Sequence, residues 1–275
     1  DLLRAPRRYT KGIHPELERT PSLAALKLEF PPVTGLSQDT EWCNLTVDGK
    51  TEVLRFHDYA RIYGTPGLYE ELFYGQLKCT SPKTVASLLK DALAKSDVTP
   101  ASLRGVDLGA GNGMVGEELK ALGVGALVGI DIIQAAADAA KRDRPQVYAD
   151  YVVADMTALD EATRTRLAAA KADLFSCVAA LGFGDIPSKA FATAWGLLET
   201  PAWVAFNIKE DFLSPKYQYG FSLLVKRLVE SGLMEVKAQH AYVHRLGLDG
   251  TPLRYLAFVG VKRGPIPADW WDKLD

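Results

Sequence analysis

The chain has 275 residues, close to half of them apolar, with 32 basic against 34 acidic side chains and a formal charge of −2. That composition excludes a disordered chain, suits one sizeable α/β domain with an appended segment, and offers no global positive field for nucleic acid. Three widely spaced cysteines, Cys43, Cys79 and Cys177, argue against a disulfide framework and for a reducing compartment, so a cytoplasmic location is expected. No apolar run reaches the ~18 residues of a membrane span, and the basic stretch RAPRRYTKG is not followed by a signal-peptide apolar core.

From Asp1 to about Gln38 proline and charge dominate, and SLAALKL is the one helix-like run, so this part reads as an arm over the domain or a partly disordered one. EWCNLTV and KTEVLRF then flank Asp48-Gly49, residues that tolerate positive φ, and predict a β-hairpin. His57 to Leu77 is dense in tyrosine. Tyr59 and Tyr63 are four apart and share a face if helical, with Tyr69 and Tyr74 following; such rings either cover a ligand or pack apolar core. A helix should begin with Ser81 as N-cap and Pro82 in its first turn and run to about Lys95.

Strands and helices alternate from there on, the signature of a parallel sheet. The strands are Leu103 to Leu108, ALVGIDI, YVVADM, DLFSCVAA and AWVAFNI, each followed by a helical pattern, and the chain closes with two β runs, VKAQHAYVHRL and LRYLAFVGVKR, joined around Asp249-Gly250. Boundaries are expected at residues 1–56 (arm and hairpin), 57–80 (tyrosine-rich lid) and 81–275 (main domain).

The first strand of that series runs into VDLGAGNGMVG. Glycines are needed where the backbone takes left-handed dihedrals and a ligand approaches closely, and the N–H groups of the following helix then face that ligand. Gly111, Gly113 and Gly116 spell the dinucleotide pattern G-x-G-x-x-G, which leaves an NAD(P)-binding oxidoreductase open. Asp107, two residues ahead of Gly109, repels a pyrophosphate and suits the sulfonium and α-ammonium of S-adenosylmethionine better.

On Asp107 and the glycines 109, 111 and 113, the sequence resembles the class I S-adenosylmethionine-dependent methyltransferases, over about Ser81 to Arg263. The resemblance implies a seven-stranded, mostly parallel sheet with helices on both faces and a terminal antiparallel hairpin. It also implies an N-terminal lid in which Tyr59 and Tyr63 close over the donor. The turn residues Asp107, Gly109, Ala110, Gly111, Asn112 and Gly113 would hold the donor. Asp131, at the end of the second strand, can accept both ribose hydroxyls. Ile132 would flank adenine, Asp155 would accept from the adenine amino group with Met156 beside it, and Cys177 and Val178 would pass under the methionine end. Cys177 itself reads as a buried small hydrophobe, since nothing local activates it.

The sulfonium is an activated electrophile, so the protein need only position an acceptor in line with the methyl group and exclude water. His57, Tyr59, Tyr63 and Asn207 are the first candidates for catalytic contact, with Asp185 and Lys209 on the same rim. A small-molecule acceptor, methylated on oxygen or nitrogen, is the leading expectation, and a protein or peptide acceptor bound through the N-terminal arm is the alternative. No membrane or nucleic-acid partner is expected. His240, Tyr242 and His244 alternate along one strand and so share a face; without a further ligand nearby they read as the polar face of an edge hairpin, and no metal is expected.

Overall fold

The structure is a computed structural model that describes residues 26–32, 35–181, 185–214, 216–217 and 219–273. Most of the N-terminal arm and residues 182–184 of the loop GFGDIP lie outside the described residues. A three-stranded antiparallel sheet comes first: β1 (Lys27–Glu29), β2 (Trp42–Val47) and β3 (Lys50–Arg55), in that order. The β2–β3 turn is the expected one, with Asp48 and Gly49 both at positive φ. The helix-like reading of SLAALKL is corrected where it can be seen. Leu26, Leu28 and Phe30 alternate onto the small sheet's apolar cluster, a two-residue period, and Leu28 pairs with Leu45.

The tyrosine-rich stretch forms a short helix, α1 (Tyr59–Gly64), and after Thr65-Pro66-Gly67 a π-helical segment (Glu70–Gln76). Next comes α2 (Ser81–Ala94), one residue out from expectation at its start: the N-cap is Thr80. Ser81 does not cap because its hydroxyl is turned inward, 2.7 Å from Tyr242 Oη and 2.6 Å from His244 Nδ1.

The main sheet is built from β4 (Arg104–Leu108), β5 (Ala126–Asp131), β6 (Asp150–Val153), β7 (Leu174–Cys177), β8 (Ala202–Lys209), β9 (Met234–Leu246) and β10 (Pro252–Lys262). Its order is β6-β5-β4-β7-β8-β10-β9, with β10 antiparallel to both neighbours and the first five strands parallel. The connecting helices are α3 (Met114–Ala121), α4 (Gln134–Asp143), α5 (Glu161–Ala169), α6 (Ser188–Leu197) and α7 (Gly220–Glu230).

Both faces of the sheet are covered. On one, Leu167, Phe191, Trp195, Phe221 and Leu228 from α5, α6 and α7 pack on Phe175, Val204 and Phe206. On the other, Val85, Leu89, Val115 and Leu119 from α2 and α3 pack on Leu127, Leu174 and Ala205. This double burial explains why β7 and β8 read as continuous apolar runs without alternation. The chain reverses direction of build between β4 and β7, and ligands of open α/β sheets sit in the crevice at that switch, off the carboxyl ends of the strands. Among the described residues no helix is long and apolar enough to cross a membrane.

Candidate active site

The glycine turn is pinned onto the end of β5: the N–H groups of Gly109 and Ala110 both donate to Ile130 O, at 2.8 and 3.0 Å. Gly109 and Gly111 take φ of +70° and +53°, so a side chain at either would be strained. Asp131 then holds the turn. Its Oδ2 accepts from Gly111 N and its Oδ1 from Ile133 N, both at 3.0 Å. Burial raises the Asp131 pKa, while those backbone N–H groups favour its charged form.

Beside this turn lies a cavity of about 300 Å³, within the range of small-ligand sites. Four strand ends supply its floor: Leu108 and Gly109 after β4, Ile130–Ile133 at β5, Ala154, Asp155 and Met156 after β6, and Val178–Ala180 after β7. His57, Tyr59, Tyr63 and Tyr69 roof it, and Asp185, Ile186 and Pro187 close one side. Tyr63 rests on the alanine face of α4, against Ala136 and Ala139, and stacks on Tyr59 and Tyr69 with ring centroids 6.0 and 5.1 Å away. Burial pushes the Tyr59 and Tyr63 hydroxyls well above the usual phenol range, so both stay neutral and are walls, not bases.

A smaller cavity of about 40 Å³ adjoins the first and shares His57, Tyr59, Tyr69, Ala179, Ala180 and Asp185 with it. Between the two, His57 Nδ1 lies 3.1 Å from Asp185 Oδ1. That hydrogen bond raises the His57 pKa, against a smaller opposing effect of burial.

Of the anticipated donor residues, Tyr59, Tyr63, Gly109, Asp131, Ile132, Asp155, Met156 and Val178 line the large cavity. Asp155 lies two residues beyond β6, and its Oδ1 accepts from the N–H and hydroxyl of Thr157, which lowers its pKa. The others are placed differently. Asp107 is not a wall: it is buried, its Oδ2 accepts from Tyr148 Oη and its Oδ1 from Ser176 Oγ, each at 2.6 Å. Burial pushes that carboxyl up to about 6, against the pull of the two hydroxyls. Its role is internal, tying β4 to β7 and to Tyr148.

Ala110, Gly111, Asn112 and Gly113 form the turn itself rather than the lining, because Tyr63 Oη occupies the space where a Gly111 Cβ would point. Asn112 instead binds the π-helical segment: its Nδ2 donates to Glu70 Oε1 at 2.8 Å, and Arg144 Nη1 donates to the same oxygen at 2.9 Å. Cys177 is wholly buried in the core, its thiol held protonated by desolvation.

Asn207 is wholly buried and touches neither cavity. Its Nδ2 donates to Ser81 Oγ and Tyr242 Oη at 3.1 and 2.6 Å, and its Oδ1 accepts from Ala179 N at 2.7 Å. Asn207 therefore holds Ala179 at its φ of +58° under the cavity and is a positioning residue. The expected polar face of the terminal hairpin is also corrected. Tyr242 and His244 are buried within this same network, and only His240 is exposed. Burial drops the His244 pKa to about 3, so it is neutral. Among the described residues no three His, Cys, Asp or Glu side chains converge as metal ligands would.

Tyr69, Leu108, Ala179, Ala180, Ile186, Pro187 and Ala190 also line the large cavity. Ala179 and Ala180 lie two and three residues past the β7 end, where the sequence places the rim of such a site; Tyr69 is legible only as part of a tyrosine-rich run.

Residues 106–206 match a methyltransferase domain family, a span that runs from the glycine turn into β8. No curated protein sequence matches significantly. The N-methyltransferase NodS of Bradyrhizobium japonicum WM9, solved with S-adenosyl-L-homocysteine, shares the fold at a TM-score of 0.52 and 14% identity, over 76% of this chain and 98% of that one. Magnesium protoporphyrin IX methyltransferase of Synechocystis PCC 6803, solved with S-adenosylmethionine, aligns at 0.46 and 14%, over 75% and 98%. Thermoplasma acidophilum 1320 aligns at 0.48 and 16%, over 71% and 96%. Residues 106–206, which carry the glycine turn, thus match a methyltransferase domain, and the sheet order around them is a fold shared with an enzyme solved with S-adenosyl-L-homocysteine.

Proposed function

We propose that the protein methylates a small-molecule acceptor in the space beneath its tyrosine-rich lid. The observation that carries this reading is the pair of adjoining cavities with the His57–Asp185 contact between them. The larger suits the donor. Its carboxylate at Asp131 is acceptor-only and matches a ribose diol; Ile132 and Met156 give apolar faces for a purine; Asp155 can accept from an exocyclic amine; and Gly109, Val178 and Ala179 form a side-chain-poor floor for the methionine end. S-adenosylmethionine, when bound, supplies an electrophilic methyl group. This chain's residues do the rest. The stacked tyrosines exclude water, the strand ends orient, and His57, held by Asp185, takes the proton that the acceptor gives up.

The acceptor space is enclosed by Phe56, Phe73 and the lid and is far smaller than a folded partner's surface, which favours a small molecule over a protein. The test is transfer of label from methyl-labelled S-adenosylmethionine in the presence of a metabolite extract. Label should appear in the low-molecular-weight fraction, and replacing His57 by Gln should lower the rate by about 10² or more, the usual contribution of a positioned base. Label confined to precipitated protein would overturn the small-molecule reading.

A further inference from the structure

The inner cavity carries a chemical preference of its own. Its aromatic side consists of Phe56, Tyr59, Tyr69 and Phe73, with Phe56–Phe73 and Tyr69–Phe73 centroids 6.2 and 4.9 Å apart. Asp185 borders it with a carboxylate. Gln38, a residue from ahead of the first hairpin, also lines it. The Gln38 amide donates from Nε2 to Tyr255 Oη at 2.9 Å, and its buried Oε1 has no hydrogen-bond partner among the described residues. A buried acceptor left unmatched costs roughly 1–3 kcal/mol, so a ligand that brings an N–H there recovers it. Among the described lining residues the permanent cation is Arg245, and its charge is matched by Glu41 Oε2 at 2.5 Å while its Nη1 donates to Leu246 O.

Aromatic faces attract cations, and a carboxylate plus an orphan amide oxygen accept hydrogen bonds without offering any. A phenolate or carboxylate in the same place would face Asp185 and the negative ring faces with no unmatched positive charge to offset them. We infer that the inner cavity selects the head of a small primary or secondary amine, making the reaction an N-methylation. The inference rests on the donor assignment above.

The amine enters as its ammonium form and gives one proton to His57, leaving an imidazolium paired with Asp185 and a neutral nitrogen. The nitrogen lone pair forms the new N–C bond as the methyl C–S bond breaks, and that bonding pair returns to sulfur, which becomes a neutral thioether. The product nitrogen takes up the positive charge beside the rings and Gln38.

The experiment uses the full chain saturated with S-adenosylhomocysteine and three probes of equal length: n-propylamine, n-propanol and propionate, with dissociation constants from ligand-observed NMR. Propylamine should bind at least about tenfold more tightly than either of the others. Asp185→Asn and Gln38→Leu should each weaken propylamine by about fivefold or more while leaving propanol within twofold, and melting temperatures of both variants report whether they are folded. Equal or tighter binding of propanol or propionate, no binding of any probe, or an unchanged propylamine affinity in folded Asp185→Asn would each overturn the amine assignment. If S-adenosylhomocysteine binds and the amine preference is absent, only this inference falls; if S-adenosylhomocysteine does not bind, the donor site falls with it.

Discussion

Asp107 and His57 are titratable groups whose surroundings have moved them in the same direction for different reasons. For Asp107 the cause is desolvation, which lifts its pKa from 3.8 to about 6 despite the hydroxyls of Ser176 and Tyr148. The folded protein thus keeps a proton that the unfolded chain has released, so this group's stabilisation is complete below pH 3.8 and lost as pH rises through 6. A shift of that size corresponds to about 3 kcal/mol. Asp107→Asn has no such titration, so between pH 4 and 7 the native protein should lose about 3 kcal/mol relative to the variant in urea unfolding. Parallel pH profiles would contradict the assignment. For His57 the cause is the hydrogen bond its ring donates to Asp185, which holds the proton on above the ordinary 6.5. A base must first be neutral, so the methyl-transfer rate should climb with pH on a limb above 6.5, and Asp185→Asn should move that limb to lower pH. At Asp131, where one carboxylate supports the turn and faces the cavity, Asp131→Ala should weaken S-adenosylhomocysteine binding at least tenfold by calorimetry.

The tyrosine-rich segment is an element whose position is set by contacts, not by its own helix propensity. α1 has only six residues and would not persist alone. It stays because Tyr63 packs on α4 and because Glu70, in the π-helical segment, accepts from both Asn112 and Arg144. Gly111 lets Tyr63 come down onto the turn, since an added Cβ would land against its hydroxyl. Gly111→Ala should therefore lift the lid, and limited proteolysis within residues 57–76 should become faster. Adding Tyr63→Phe removes the hydroxyl and should restore part of the protection; a double variant as sensitive as the single would show that the lid does not rest there. The tyrosine spacing was readable beforehand because it is local. The docking on Ala136 and Ala139 was not, because nothing in an alanine-rich helix says what covers it.

Across the whole molecule, the small N-terminal sheet is joined to the main one by a buried ion pair. Glu41, at the start of the first hairpin, meets Arg245 on β9 at 2.5 Å, both 3% exposed, and its second oxygen accepts from Leu248 N at 2.9 Å. Removing one partner leaves an uncompensated buried charge. Arg245→Met should cost about 3–5 kcal/mol in denaturant unfolding, and the double variant Glu41→Leu, Arg245→Met should be more stable than that single one. The same joint brings Gln38 and Phe56 to the smaller cavity, so the residues around the small sheet help wall that cavity as well as packing beside it.

The alternation of strands and helices, the order of charge and glycine in VDLGAGNGMVG, and the closing hairpin were local patterns, and they sufficed for the sheet and the donor class. Which carboxylate faces the cavity was not a local matter. Asp107 and Asp131 both end or approach the ends of strands, yet the neighbours that claim Asp107 come from residues 148 and 176, and those that leave Asp131 on the cavity wall come from the turn beside it. Likewise Asn207 looks like chemistry in sequence and is an internal support in space, because its partners Ser81, Ala179 and Tyr242 come from three separate segments. Hydrogen-bonding capacity is written in a residue's type; who uses it depends on packing between distant segments, and only the folded chain brings those together.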